Sequence, residues 1–112
     1  MAIGDCTQLK LIQKALSATA SDSAYANAGA TYTTTVTSIT VYNSAAVTRT
    51  VSVYLYGVAA GNKVMNIELI AGATEIITNL DYVLTAALAI SLAQDTGTDV
   101  ICAVMGLQEV TS

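Results

Sequence analysis

The stretch "TTTVTSITVYNSAAVTRTVSVYLYG", residues Thr33 to Gly57, contains two runs of Thr, Val, Ile and Tyr on either side of "NSAAVT". Apart from its tyrosines, Arg49 is its only ionisable residue. β-branched and aromatic residues are enriched in strands. The stretch therefore predicts two β strands, Thr33 to Asn43 and Arg49 to Tyr56, and a hairpin is the simplest link between them.

Successive side chains of a strand point to opposite faces, so alternation assigns a core side and an outer side to each strand. We expect the core side to carry five apolar residues: Ile39, Val41, Val51, Val53 and Leu55. The same alternation places Val36 on the outer side of the first strand, with Tyr42.

Three tyrosines form the candidate contact surface: Tyr42, Tyr54 and Tyr56. The hairpin would bring Tyr42 across from the other two. Tyrosine offers a large rigid area with a polar group, which suits protein contacts. Two alternatives stay open: rings that cover the edge of the core with their hydroxyls in water, and rings that stack on sugars.

The rest of the chain alternates between turn signals such as "GVAAGNK", "AGAT" and "DTGTD" and further strand patterns. These patterns cover residues 64–71, 75–80, 81–94 and 100–110, with a short extended piece at Tyr25. About seven or eight short strands separated by turns predict an all-β fold, an antiparallel β-sandwich of jelly-roll or Ig-like type.

The first 20 residues are ambiguous. Leu9, Ile12 and Leu16 have helical spacing, but the same region also fits a strand around Leu11 to Thr19. Short apolar runs cannot be assigned by periodicity alone. We favour an extended N-terminal arm over residues 1–15, followed by a single sandwich domain over residues 16–112.

The shortage of charge is the most informative feature of the composition. Only 11% of the 112 residues are charged, against roughly 25% in typical soluble domains, while 54% are hydrophobic. This indicates that other subunits cover part of the surface, as in a homo-oligomer. The net charge of −4, with four scattered basic residues, argues against nucleic-acid binding.

No membrane partner or export is expected. The longest uncharged run, Ser23 to Thr48, is too rich in Thr, Ser, Asn and Tyr to be a transmembrane span. Asp5, Lys10 and Lys14 interrupt what would be the apolar core of a signal peptide. We therefore expect a soluble, unexported protein.

The chain has no histidine, which excludes Ser–His and Cys–His nucleophilic catalysis. Most acidic residues lie beside turns, and Asp95 and Asp99 lack the dense spacing of a calcium loop. We expect no catalytic residues, metal or cofactor. Cys102 fits a small buried hydrophobe, with a disulfide to Cys6 as the alternative.

"TVTSITVYNSAAVTRTVSVYL" resembles a recurrent stretch of small tailed-bacteriophage virion proteins. In those proteins a threonine-rich strand runs into Ser-Ile-Thr-Val and Asn, followed by a short link and an Arg/Thr-Val strand. "AYANAG", "IELIAGAT" and the closing "VMGLQEV" fit the same pattern, so that the resemblance covers residues 16–110. This chain has no proline, although the family commonly has one after the first Tyr, and "GDCTQLKLIQK" has no counterpart.

The resemblance implies a non-enzymatic virion structural protein, assembled in the host cytoplasm. The first expectation is a capsid decoration or cement subunit that binds the outside of a phage head in many copies and stabilises it. Its partners would be copies of itself and the major capsid protein or another virion protein. The alternative is a tail, neck or fibre component, including a module that binds a host receptor or sugar.

Overall fold

The computed structural model describes residues 3–111, which contain nine β strands and two single-turn 3₁₀ helices. The helices are Ala20–Asp22 and Ala60–Asn62. The strands are β1 (Cys6–Ala15), β2 (Ala24–Ala26), β3 (Tyr32–Asn43), β4 (Arg49–Leu55), β5 (Lys63–Leu69), β6 (Thr74–Ile77), β7 (Tyr82–Thr85), β8 (Ala89–Gln94) and β9 (Val100–Val110).

The strands form two antiparallel sheets that pack face to face. In the five-stranded sheet the order is β1-β9-β3-β6, and β7 pairs with the remaining part of the same β3 edge. In the four-stranded sheet the order is β2-β8-β4-β5. The predicted all-β antiparallel sandwich is confirmed.

The pairing identifies the jelly-roll topology. Since β6 and β7 occupy one edge of β3 in succession, they count as one interrupted strand of eight. The first strand then pairs with the last, the second with the seventh, the third with the sixth and the fourth with the fifth. This nested antiparallel pairing is the arrangement of a jelly roll, the first of the two predicted sandwich types.

The core lies between the two sheets and receives side chains from both. All five predicted core residues are buried. Full burial of a Val, Leu or Ile side chain stabilises a fold by roughly 1.5–3 kcal/mol. The other buried hydrophobic residues of the core cluster are Ile12, Leu16, Val36, Ile67, Leu69, Leu84, Ile90, Leu92, Val100, Cys102 and Val104.

The predicted hairpin between β3 and β4 is wrong, because the two strands lie in different sheets. Both edges of β3 are already occupied, by β9 on one side and by β6 and β7 on the other. No edge remains for β4, so the connection crosses the sandwich. The buried Asn43 side chain anchors this crossing, since its amide donates to the carbonyls of Val47 (2.8 Å), Leu69 (3.0 Å) and Ile70 (3.2 Å).

The predicted alternation also fails in the middle of β3. The register against β9 shifts between Val36 and Ser38, which leaves Thr37 as the extra residue of a bulge. A bulge resets which side chains face the core. Val36 is therefore buried together with Ile39 and Val41, and does not share the outer face with Tyr42.

The predicted boundary between an arm and the sandwich at residue 15 is wrong. β1 (Cys6–Ala15) pairs with β9 through nine positions, with a bulge between Lys10 and Ile12. Without β1, the backbone of β9 would lack partners along one edge, and polar backbone groups in a sheet require them. The helical alternative for this region is excluded by the same pairing.

The single strand predicted over residues 81–94 is two strands. Ala86 has a left-handed φ of 50°, and the chain passes there from β7 in one sheet to β8 in the other. The Leu88 amide donates to the Thr85 carbonyl at 2.9 Å and closes the turn. Alanine carries no turn signal, so the sequence does not mark this break.

Candidate functional site

The three candidate tyrosines do not form one surface. Tyr42 lies on the outer face of the five-stranded sheet, beside Ile101. Tyr54 lies on the outer face of the four-stranded sheet, where the Lys63 ammonium is 5.8 Å from its ring centroid. Because β3 and β4 belong to opposite layers, the sandwich separates the two rings.

Tyr56 follows the end of β4 in a left-handed conformation, with φ of 68°. Its hydroxyl donates to the Val83 carbonyl on β7 at 2.8 Å, and its amide donates to the Ala89 carbonyl at 2.8 Å. The side chain thus links the four-stranded sheet to the five-stranded sheet. This contact accounts for the position of Tyr56 without a ligand.

The structure instead concentrates exposed apolar side chains on the outer face of the five-stranded sheet. Strand residues that lie opposite each other share a face. The register therefore places six exposed hydrophobic residues together on this face: Tyr42, Ile76, Val83, Ile101, Met105 and Leu107. Ile76 is 62% exposed and Ile101 46%. Exposed apolar side chains gathered on one face are typical of an interaction surface.

Uncharged polar residues occupy most of the remaining positions of this face. On β3 these are Thr33, Thr35, Ser38 and Thr40, and on β1 they include Gln8 and Gln13. Within residues 3–111, the ionised side chains at outward positions of these paired strands are Lys10 on β1 and Glu109 near the end of β9. A partner therefore has little charge to desolvate when it covers this face.

The outer face of the four-stranded sheet is different. Thr50, Ser52 and the half-buried Tyr54 of β4 lie beside Glu68, Asn66 and Lys63 of β5. The Ser52 hydroxyl donates to the Asn66 side-chain oxygen at 3.1 Å. Over β4 and β5 this face has the mixed polar and charged character of a solvated surface.

A hollow of about 440 Å³ lies at the centre of the apolar face. The bulges of β1 and β3 lie on the two sides of β9, both next to Met105. Gly106 lines the hollow through its backbone alone, because glycine has no side chain. The hollow is lined by Gln8, Leu9, Lys10, Thr37, Ser38, Met105 and Gly106.

Several ionisable residues outside this face have structural partners. The Arg49 guanidinium donates to one Asp99 carboxylate oxygen from Nε (3.1 Å) and Nη2 (2.8 Å). The Asp95 carboxylate accepts the Thr96 amide at 2.8 Å. Among residues 3–111, no three His, Cys, Asp or Glu side chains are grouped so that they could hold a metal ion.

The two cysteines form no disulfide with each other, and they lie at opposite ends of the β1–β9 pair. Cys6 is exposed and pairs with Glu109, whereas Cys102 is fully buried and pairs with Lys14. Burial raises the pKa of the Cys102 thiol. The prediction of a buried small hydrophobe at Cys102 is confirmed, and the alternative of a disulfide within the chain is wrong.

Sequence reasoning missed the apolar face, although "VICAVMGLQEV" contained a signal for it. Residues Val100 to Met105 are apolar at every position. A strand that is apolar on both sides is typical of one that is buried on both sides. Here the inner side packs against the four-stranded sheet, while Ile101 and Met105 on the other side stay exposed.

Among the described residues, no helix is long and apolar enough to span a membrane.

No protein-family model and no curated protein matches this chain. The fold is similar to that of a Podospora anserina GH26-CBM35 β-(1,4)-mannanase (13% identity, TM-score 0.50, 99% of this chain and 28% of that chain). It is also similar to the Tobacco streak virus coat protein (12% identity, TM-score 0.49, 96% and 88%). A third similar structure is a Bacillus endospore appendage pilus (22% identity, TM-score 0.45, 100% and 96%). The chain spans less than a third of the mannanase, and identities this low show the β-sandwich fold alone.

Proposed function

We propose that this protein is a non-enzymatic virion structural protein of a tailed bacteriophage. In this proposal it is a capsid decoration or cement subunit that binds the outside of the head in many copies. It would assemble on the particle in the host cytoplasm, with copies of itself and the major capsid protein as partners.

The observation that supports the proposal most strongly is that β9 carries apolar side chains on both its inner and its outer side. This strand lies inside the five-stranded sheet, between β1 and β3, and its outer side exposes Ile101, Met105 and Leu107. Exposed apolar area of this kind favours association, since burial contributes about 25 cal/mol per Å². A subunit held permanently in an assembly would keep this side out of water.

The charge content supports the same role. Only 12 of the 112 side chains are Lys, Arg, Asp or Glu. A free monomer relies on charged surface for solubility, whereas a subunit fixed in a lattice needs contact area more. The resemblance of residues 16–110 to small phage virion proteins supports the particle as the site of assembly.

The position on the particle is tested by copy number. Mass spectrometry of purified virions should give an amount of this chain comparable to that of the major capsid protein. A few copies per particle would favour the neck or tail instead. Absence of the chain from purified virions would contradict a virion role altogether.

The stabilising role is tested on particles that lack the chain. Heads without it should release DNA at a lower temperature than complete heads, while host adsorption stays normal. The reverse result, normal heat stability with lost adsorption, would support a receptor- or sugar-binding module. Tyr54→Ala serves as a matched variant, because a sugar-stacking module that used this ring would lose adsorption while its heads remained stable.

A further inference from the structure

We infer that the outer face of the five-stranded sheet binds the same face of a second copy of this chain. The two sheets would pack against each other around a two-fold axis that runs parallel to the strands, between β3 and β9. The use of such a pair on a particle rests on the proposed function, but the pairing itself follows from the geometry of the face.

The face is large enough for a stable dimer. β9 has 11 residues, so the face is about 35 Å long, and four strands side by side make it about 19 Å wide. Two such faces together bury on the order of 1,300 Å². Specific interfaces bury about 1,200–2,000 Å² in total. A dimer is therefore within the reach of this face alone.

The positions of Lys10 and Glu109, the two ionised residues of this face, favour a two-fold axis parallel to the strands. An axis parallel to the strands places the β1 side of one copy over the β6 and β7 side of the other. Lys10 on β1 then lies over β6 and β7, and Glu109 on β9 lies over β3, and these strands have no ionised residue at their outward positions. An axis across the strands would instead place Lys10 over Lys10 of the second copy, and like charges in a buried contact are unfavourable.

The same axis matches large side chains with small ones. It places β9 of each copy over β3 of the other, in the register that the two strands already share. Leu107 then lies over Thr35 of the second copy, and Met105 lies over Ser38. Ser38 and Thr37 line the central hollow of about 440 Å³, which can accept the Met105 side chain of the second copy. Interdigitation of this kind is how packed sheets fill the space between them.

Sedimentation equilibrium of the purified chain tests the pairing. The wild type should form dimers at micromolar concentration. Met105→Lys should weaken dimerisation by more than about 100-fold, because each dimer would bury two unpaired ammonium groups. Ile76→Lys, at a more exposed position of the same face, should also weaken dimerisation. Because this position is more exposed, the variant shows whether the effect of Met105→Lys comes from the interface and not from a folding defect.

The matched control is Ser52→Lys, which adds the same charge to the outer face of the four-stranded sheet. It should dimerise like the wild type, and circular dichroism should show the same fold for all four proteins. A wild type that stays monomeric at these concentrations would overturn the inference. So would a dimer that is weakened by Ser52→Lys but not by Met105→Lys or Ile76→Lys.

Cross-linking tests the direction of the axis. In a Cys6→Ser background, Gln13→Cys and Ile76→Cys are made as separate proteins and mixed with a short bismaleimide. The strand-parallel axis places residue 13 of one copy over residue 76 of the other, whereas within one chain they are three strands apart. A covalent dimer specific to the mixture is expected, and its absence overturns this geometry.

The two proposals fail separately. A monomer in solution that is abundant in purified virions overturns the pairing and leaves the virion role intact. A dimer that is absent from virions overturns the virion role and leaves the pairing intact.

Discussion

Gly106 is the residue at which close packing is most demanding. It lies on β9 opposite Leu9 of β1 and Val36 of β3, next to the bulge of β3. A Cβ at this position would overlap the Thr35 carbonyl oxygen and lie 2.9 Å from Cδ1 of Leu11. The backbone of β3 and a partly buried side chain of β1 therefore both depend on the absence of a side chain at residue 106.

Gly106→Ala should lower the free energy of unfolding by about 1–3 kcal/mol, the usual cost of overpacking. Urea denaturation measures this change. The control is Gly61→Ala, since a Cβ at residue 61 meets nothing within 4 Å. Equal stability of the two variants would show that the contact at residue 106 relaxes without cost.

The buried thiol of Cys102 should make the free energy of unfolding depend on pH in the alkaline range. Burial raises the pKa of its thiol above the ordinary value of 9.0. Above pH 9.0 the unfolded chain releases this proton while the folded chain retains it. The free energy of unfolding should therefore be independent of this thiol below its ordinary pKa, and should fall as the pH rises above it.

Comparison with Cys102→Ala isolates this effect, because every other residue is the same in both proteins. The difference in unfolding free energy between wild type and variant should shrink as the pH rises from 8 to 10. A difference that stays constant over this range would contradict the burial of a neutral thiol.

At the scale of the elements, two buried asparagines hold the ends of β3. The Asn27 amide donates to the carbonyls of Gly29 (3.0 Å), Tyr32 (2.7 Å) and Ala86 (3.0 Å), and its side-chain oxygen accepts the Thr34 hydroxyl at 2.8 Å. Asn43 does the same for the β3–β4 and β5–β6 connections at the other end. Each bonds several loop carbonyls at once and so ties the loops to one end of the strand.

Asn43→Ala should cost about 2–3 kcal/mol of unfolding free energy, because it leaves buried carbonyl groups without donors. Thermal or urea unfolding measures the loss. Asn66→Ala is the matched control, since Asn66 is exposed and its side-chain oxygen accepts the Ser52 hydroxyl on the outer face of the four-stranded sheet. A similar loss in both variants would contradict the anchoring role of Asn43.

Alternation of residues along the sequence correctly predicted which side chains face the core in strands without a bulge. β4 has no bulge opposite β8, and its alternation of Val51, Val53 and Leu55 held from end to end. β3 was misassigned from Val36 because its bulge is set by pairing with β9, 60 or more residues away in sequence. No residue type within β3 marks that position.

The connections were harder to predict than the strands. The sequence "NSAAVT" is compatible with a hairpin. The connection instead crosses between the sheets because β9, β6 and β7 occupy both edges of β3, and only the complete topology shows this. This error placed Tyr42 beside Tyr54, although the two rings lie on opposite outer faces. The predicted contact surface was therefore divided between the two layers.

At the scale of the whole molecule, the composition predicted a surface covered by other subunits, and the proposed pairing assigns that role to the outer face of the five-stranded sheet. A charged fraction of 11% indicated a covered surface. This face could not be identified from the sequence, because it combines residues of β3, β6, β7 and β9 that only the sheet order brings together. Met105 and Ile76, for example, are separated by 29 positions in the chain.

The central claim is that this face is the surface through which the chain assembles. Hydroxyl-radical footprinting of the unmodified protein, dilute and concentrated, tests it most directly. Met105 and Tyr42 on the face should become protected at high concentration, while Tyr56, which is 46% exposed away from it, should be labelled equally in both samples. Unchanged labelling of Met105 and Tyr42, or protection of Tyr56 alone, would contradict the claim.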